Sequence, residues 1–189
     1  MKYSLAFLIL FFSLGLYAQK PCEYASNVVD SIGSYKATKD YVVHERNFAG
    51  NEAYMFFSLV KVDSMPLLNL QFIQKSSDMI KVNCLDVNSK VFLQLQNGKI
   101  ITLLHTNDES CGTMIRVAEE NKYSRVTTGT FMFMKGSIED LKSSPVSLMR
   151  VKFSTEILDF VFKKELVSEL TKQTYQPENY FIDYLKCVD

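Results

Sequence analysis

Short runs of β-branched and aromatic residues recur along the chain and are separated by turn-forming residues. This spacing is typical of all-β domains and differs from the alternation of strands with long helices in α/β proteins. We predict strands over residues 24–29, 35–45, 53–62, 67–74, 79–85, 91–96, 100–105, 113–118, 125–134, 146–153 and 157–162. The predicted fold class is therefore mainly β (α+β): an antiparallel β-sandwich or an open curled sheet, with C-terminal helices.

Asn97-Gly98 is the clearest turn of the sequence. A two-residue turn of type I′ needs positive φ at both positions, and Asn and Gly tolerate this conformation. Such a turn pairs the two flanking strands so that an almost wholly apolar set of side chains lies on one face. In this register His105 lies opposite Lys90 on the other, mixed face. A second hairpin, with one apolar face, is predicted between residues 149–153 and 158–162.

Helical periodicity is confined to short segments. A short helix is predicted over residues 137–142, before Pro145. A C-terminal helical segment is predicted over about residues 163–188, because apolar residues recur there at helical spacing. Its apolar positions are Leu166, Val167, Leu170, Phe181, Tyr184, Leu185 and Val188. These helices are expected to cover the sheet.

Residues 1–18 have the layout of a secretory signal peptide, with Lys2 ahead of an apolar run and Ala18 at the expected cleavage site. Residues 19–189 are then one exported β-rich domain, located in the periplasm or outside the cell. No other segment is long and apolar enough to predict an integral membrane helix after cleavage.

The four cysteines all follow the predicted signal peptide, and an even count in an exported chain favours disulfides. Extension of the Asn97-Gly98 register places Cys84 opposite Cys111 and favours that pair. By elimination, Cys22 pairs with Cys187 and ties the start of the mature chain to its last helix. The other connectivities stay open at this point.

The 21 basic and 21 acidic residues cancel, so the chain lacks the basic surface that nucleic acid binding requires. The sequence contains no HExxH, GxSxG, GxxxxGK[ST] or GxGxxG motif. We therefore predict no catalytic residue, no metal ligand and no cofactor.

One local cluster has residue types that also occur in active sites. His105, Asp108, Glu109 and Cys111 lie within seven positions of one another. A cysteine nucleophile needs a free thiol beside a base, and the predicted disulfide removes that thiol. The structural interpretation is favoured, with His105, Asp108 and Glu109 kept as weak candidates for ligand contact.

Tyr180 and Tyr184 are the other candidates for ligand contact. Tyrosine combines an apolar ring with a polar hydroxyl, and both residues lie on the predicted last helix. Packing with the hydroxyls directed outward would also explain them.

Three segments resemble a group of small exported proteins of Gram-negative bacteria that have no assigned activity. They are Pro21-Cys22-Glu23-Tyr24, Pro145-Val146-Ser147-Leu148-Met149-Arg150-Val151 and Leu185-Lys186-Cys187, together with the hairpin sequence Asn97-Gly98-Lys99-Ile100-Ile101-Thr102-Leu103. The resemblance implies a secreted β-rich domain and adds no catalytic residue.

The sequence as a whole predicts an exported, non-enzymatic binding domain or an envelope-associated structural domain, with an unknown protein or small molecule as its ligand. One alternative is a small secreted hydrolase whose site assembles from distant strands. The other is an inhibitor or immunity-type protein that binds a partner protein.

Thiol alkylation tests the disulfide prediction. We expect no cysteine to react in the unfolded, non-reduced protein and all four to react after reduction. Intact mass with and without reductant measures both states. Modification of Cys111 before reduction would instead favour the hydrolase alternative.

Overall fold

A computed structural model of the chain describes residues 20–106 and 109–189. The predicted signal peptide and Asp108 lie outside the described residues. The strands are β1 Tyr24–Val29, β2 Ser34–Thr38, β3 Tyr41–Phe48, β4 Asn51–Val62, β5 Met65–Ser76, β6 Lys90–Leu95, β7 Ile100–His105, β8 Thr113–Val117, β9 Lys122–Phe133, β10 Val146–Lys152, β11 Ile157–Val161, β12 Leu166–Val167 and β13 Thr174–Tyr175. The helices are α1 Ser137–Ser143 and α2 Tyr180–Tyr184, with 3₁₀ turns at Pro177–Asn179 and Leu185–Cys187.

The fold is one open antiparallel sheet of 11 strands, in the order β1-β2-β4-β5-β9-β7-β6-β10-β11, with β3 also paired to β4 and β8 to β9. The mainly β prediction is confirmed, and of its two forms the structure has the open sheet. The three strands at the centre, β4, β5 and β9, are 12 residues long each. Of these three strands, β4 and β9 each pair with two further strands along one edge. β2 and β3 pair with different parts of β4, and β7 and β8 pair with different parts of β9.

Aromatic contacts show that the sheet bends back on itself. Phe72 on β5 lies 5.6 Å, between ring centroids, from Phe160 on β11, although four strands lie between β5 and β11 in the sheet. Phe57 on β4 likewise contacts Phe162, just after β11. One face of the sheet therefore lines the main core, and a small second cluster of Ala37, Val60 and Leu67 lies on the other face.

The C-terminal segment fills the open end of that core. Tyr180, Phe181, Leu185 and Val188 are buried, and Phe57 contacts the rings of both Tyr180 and Phe181. The predicted apolar stripe of the last helix is thus present in α2 and the turn that follows. Within the described residues, no helix has the length and apolar character needed to cross a membrane.

Residues 163–176 do not form the predicted helix. They form a small hairpin of β12 and β13, and of the three apolar residues used for the prediction only Leu166 is buried. A tertiary contact explains the difference, because the Ser168 hydroxyl donates to Glu45 on β3 at 2.5 Å and the Glu169 amide donates to the same carboxylate. The strand predicted over residues 79–85 also does not form. In this stretch only Leu85 makes an isolated β-bridge, with Ser110.

The Asn97-Gly98 hairpin forms in a different register from the predicted one. Of Asn97 and Gly98 only Gly98 has positive φ, 87°, and Leu95 donates its amide to the Lys99 carbonyl across a three-residue loop. This loop shifts the pairing by one residue, so that Leu93 faces Ile101. A one-residue shift exchanges the faces of a strand. As a result His105 lies on the inner face, whereas the sequence prediction placed it on the mixed face.

The other hairpin and the short helix agree with the sequence prediction. Met149 pairs with Phe160 and Val151 with Leu158. Helix α1 covers the predicted residues 137–142 and ends before Pro145.

Both predicted cysteine pairs are present at bonding distance. The sulfur atoms of Cys22 and Cys187 are 2.00 Å apart, and those of Cys84 and Cys111 are 2.12 Å apart. The first pair joins the segment before β1 to the 3₁₀ turn after α2. The second joins the loop before β6 to the segment between β7 and β8.

Removal of each disulfide is expected to lower the free energy of unfolding by a different amount. On the chain-entropy model, a bond across a separation of 165 residues contributes about 5 kcal/mol, and one across 27 residues about 3.5 kcal/mol. We therefore expect Cys22→Ser/Cys187→Ser to lose more stability than Cys84→Ser/Cys111→Ser. Urea unfolding of both double variants measures this, and the reverse order would contradict it.

Candidate functional site

The predicted cluster around His105 is not an accessible site. His105 is buried on the inner face, and its Nδ1–H donates to the Asp86 carbonyl oxygen at 3.0 Å. A Cβ on Gly129 would lie 3.0 Å from His105 Nε2, so the backbone of β9 closes directly over the ring. Burial lowers the pKa of His105, which is therefore a neutral core histidine. That His105 contacts a ligand stays a prediction, which the burial of the ring does not favour.

The rest of this cluster is arranged around the second disulfide. Cys111 is bonded to Cys84, and the Arg125 guanidinium donates to the carbonyl oxygens of Cys111 and Gly112 at 3.1 and 2.9 Å. Glu109 is exposed beside the disulfide. Among residues 20–106 and 109–189, Cys84, Glu109 and Cys111 are the one group with metal-ligand atoms close together, but zinc binds the thiolate form of cysteine. The disulfide removes both thiolates.

A different cavity, of about 350 Å³, lies where three distant segments meet. It is lined by residues 20–23 before β1, residues 38–41 at the corner between β2 and β3, and residues 173–184 around α2. We call this cavity the tyrosine pocket, after Tyr41, Tyr175, Tyr180 and Tyr184 in its lining. The Cys22–Cys187 disulfide holds the first segment against the third.

The four tyrosines pack around Tyr41. Its ring centroid is 4.8 Å from that of Tyr175, 5.0 Å from that of Tyr180 and 5.3 Å from that of Tyr184. Edge and tilted contacts of this kind add to the stability gained from ring burial. Tyr184 remains half-buried while the other three are buried, so it presents the most accessible ring and hydroxyl of the four.

The hydroxyls of the pocket differ in their partners. Tyr41 Oη accepts the Gln176 amide at 2.6 Å, and Tyr175 Oη donates within its own hairpin. Tyr180 Oη is buried beside Thr38, whose hydroxyl oxygen already accepts the Leu59 amide, and it has no hydrogen bond of normal geometry to any described residue. A buried hydroxyl without a partner costs free energy.

Burial raises the pKa of Tyr41, Tyr180 and Tyr184. All three side chains are therefore neutral phenols at physiological pH, able to donate and accept hydrogen bonds but poor bases and nucleophiles. Neither histidine of the chain lines this pocket.

Charged side chains at the pocket rim are paired with one exception. Lys20 contacts Asp183 at 2.7 Å, and Lys39 contacts Glu23 at 2.9 Å. Asp40 is exposed and forms no ion pair within the described part of the chain. The pocket therefore offers one carboxylate acceptor and little net charge.

The chain matches no protein-family model, no curated protein and no solved structure. The resemblance to small exported proteins of Gram-negative bacteria accordingly stays a prediction. Support for a function must therefore come from the geometry of the structure.

Two of the sequence-predicted contact residues, Tyr180 and Tyr184, lie together in the tyrosine pocket. Its other main residues, Tyr41 and Asp40, were missed because residues 35–45 were predicted as one unbroken strand. The structure divides this stretch into β2 and β3 at Lys39-Asp40. Those two adjacent charges within an otherwise mostly apolar run were the only sign of a corner.

The buried His105 and the half-buried His44 predict a loss of stability on mild acidification. Burial lowers the pKa of His105 and, with the cations Lys163 and Arg46 adding to the effect, that of His44. The unfolded chain then binds more protons than the folded chain as pH falls below about 6.5, and unfolding becomes easier by at most about 1.4 kcal/mol per pH unit for each histidine. Carboxylates titrate mainly below this window.

We expect His105→Asn to reduce the difference in unfolding free energy between pH 7.5 and pH 5.5. The Asn amide can still donate to the Asp86 carbonyl but does not titrate in this range. His44→Asn is the matched variant and should remove the other part of the difference. A full difference retained by the His44→Asn/His105→Asn double variant in urea unfolding would contradict the assignment.

Proposed function

We propose that this protein is an exported, non-enzymatic binding domain whose ligand occupies the tyrosine pocket. The observation that carries the proposal is the convergence of three segments far apart in sequence on one cavity of about 350 Å³, held by the Cys22–Cys187 disulfide. A volume of this size is within the range of pockets for small molecules.

The lining indicates the kind of ligand. Phenol rings offer apolar contact, and the hydroxyl of Tyr184 and the carboxylate of Asp40 offer hydrogen bonds. Since the rim lysines are paired with acids, a strongly charged ligand has little to bind to. A small, neutral and polar molecule therefore fits best.

Export is part of the proposal. The apolar residues 1–18 and the two disulfides support secretion to an oxidising compartment, since disulfides persist there and are reduced in the cytosol. A hydrolase is less well supported, because the pocket lacks a histidine and its tyrosines are held neutral.

Ligand screening by ¹H–¹⁵N NMR tests the proposed function. We expect at least one member of a panel of monosaccharides, nucleosides and neutral amino acids to shift the amide signals of residues 38–41 and 173–184. Tyr184→Phe removes one hydroxyl and should weaken that ligand about threefold to tenfold, the value of one hydrogen bond. Tyr123→Phe, on β9 outside the pocket, is the control and should change nothing.

A second pair of variants separates the pocket from general stability. Cys22→Ser/Cys187→Ser releases one wall of the pocket and should abolish ligand binding in a protein that remains folded at low temperature. Cys84→Ser/Cys111→Ser removes a disulfide elsewhere and should leave binding intact. Equal binding by the two double variants, or ligand shifts outside the pocket, would contradict the proposal.

A further inference from the structure

A groove of about 660 Å³ on the outer face of the sheet borders the tyrosine pocket. Thr38 and Asp40 line both, so the two cavities lie on either side of the β2–β3 corner. The groove runs from β2 across β4 and β5 to β9. The groove crosses three strand spacings of about 4.8 Å each, so its length is roughly 14 Å.

The strand register arranges the groove floor as two parallel rows. One row is aliphatic: Ala37 faces Val60, and Val60 faces Leu67. The other row is polar: Ser58 faces Asn69, and Asn69 faces Thr130. The rows lie side by side on the same face because Ser58 and Val60, like Leu67 and Asn69, are two residues apart in a strand.

The second row is only partly accessible, because Ser58 is buried while Asn69 and Thr130 are half-buried. Asn69 Nδ2 donates to Ser58 Oγ at 3.3 Å, and no hydrogen bond to a described residue involves the Thr130 hydroxyl. At the groove end nearest the β4–β5 turn, the Tyr35 side chain is 45% exposed. Among the described residues that line the groove, Asp40 alone is charged.

An extended peptide is a poor occupant of this groove. Peptides that join a sheet pair with the free backbone groups of an edge strand. Here β4 is paired with β5 and with β2 or β3, and β5 is paired with β4 and β9. The main chain of the groove floor is therefore already used, and recognition must come from side chains.

We infer that the groove and the tyrosine pocket together bind a neutral oligosaccharide. Sugar rings have hydroxyl edges and apolar C–H faces, and these match a hydroxyl and amide row beside an aliphatic row. The exposed Tyr35 ring provides a stacking surface, and the Asp40 carboxylate accepts hydrogen bonds from sugar hydroxyls at the junction. This inference rests on the proposed function and names the class of its ligand.

Binding of oligosaccharides of increasing length tests the inference. The probes are malto-, cello-, xylo- and chitooligosaccharides of one to six units, measured by isothermal titration calorimetry with the full disulfide-bonded protein. In at least one series we expect affinity to rise with length until the groove is filled. Tyr35→Ala and Thr130→Val should each lower the affinity for the longest oligomer about threefold to tenfold and leave that for the monosaccharide unchanged.

Thr128→Val is the matched control for Thr130→Val. Thr128 lies two residues away on the same face of β9 but outside the groove lining, so its variant should bind every probe as the wild type does. Circular dichroism and the unfolding midpoint confirm that each variant is folded.

Three outcomes would overturn the inference. They are affinity that does not depend on oligomer length, an equal effect of Thr128→Val, and displacement of the oligosaccharide by an unrelated neutral peptide. If no sugar binds but another compound shifts the pocket signals in a Tyr184-dependent way, the proposed function stands and the oligosaccharide inference is wrong. If no compound of the NMR panel and no oligosaccharide binds, both are wrong.

Discussion

An open antiparallel sheet can bury one apolar face only if it bends back on itself or is covered by other elements. This chain does both. The aromatic contacts from β4 and β5 to the β11 region bring the two halves of the inner face together, and α2 fills the end that remains open. The tyrosine pocket exists because the covering segment carries Tyr180 and Tyr184 to the corner between β2 and β3.

Much of the fold could be predicted because alternation of apolar and polar residues marks strands directly. The sequence predictions failed where a tertiary contact or a one-residue difference in loop length decides the structure. Asn-Gly suits a two-residue loop and also the three-residue loop that is present, and only the second puts His105 inside. The helical spacing of Leu166 and Leu170 was overridden by the bonds from residues 168 and 169 to Glu45.

The candidate site was less predictable than the fold. Tyr180 and Tyr184 were identified as candidates by residue type, and the predicted pairing of Cys22 with Cys187 placed the start of the mature chain near them. Tyr41 and Asp40 entered the site because the chain turns a corner at residues 39–40, and hydrophobic periodicity does not show corners. The outer-face groove depends on cross-strand neighbours such as Asn69 and Thr130, which become adjacent only once the register is known.

The Cys22–Cys187 bond has a consequence for the time at which the pocket appears. Its walls come from segments separated by 165 residues, so the pocket is incomplete in any chain whose C-terminal segment has not yet been synthesised, even when the central strands have paired. The pocket is complete only when the C-terminal segment lies against the start of the domain. Under the proposed function, full-length folded chains alone would then compete for the ligand.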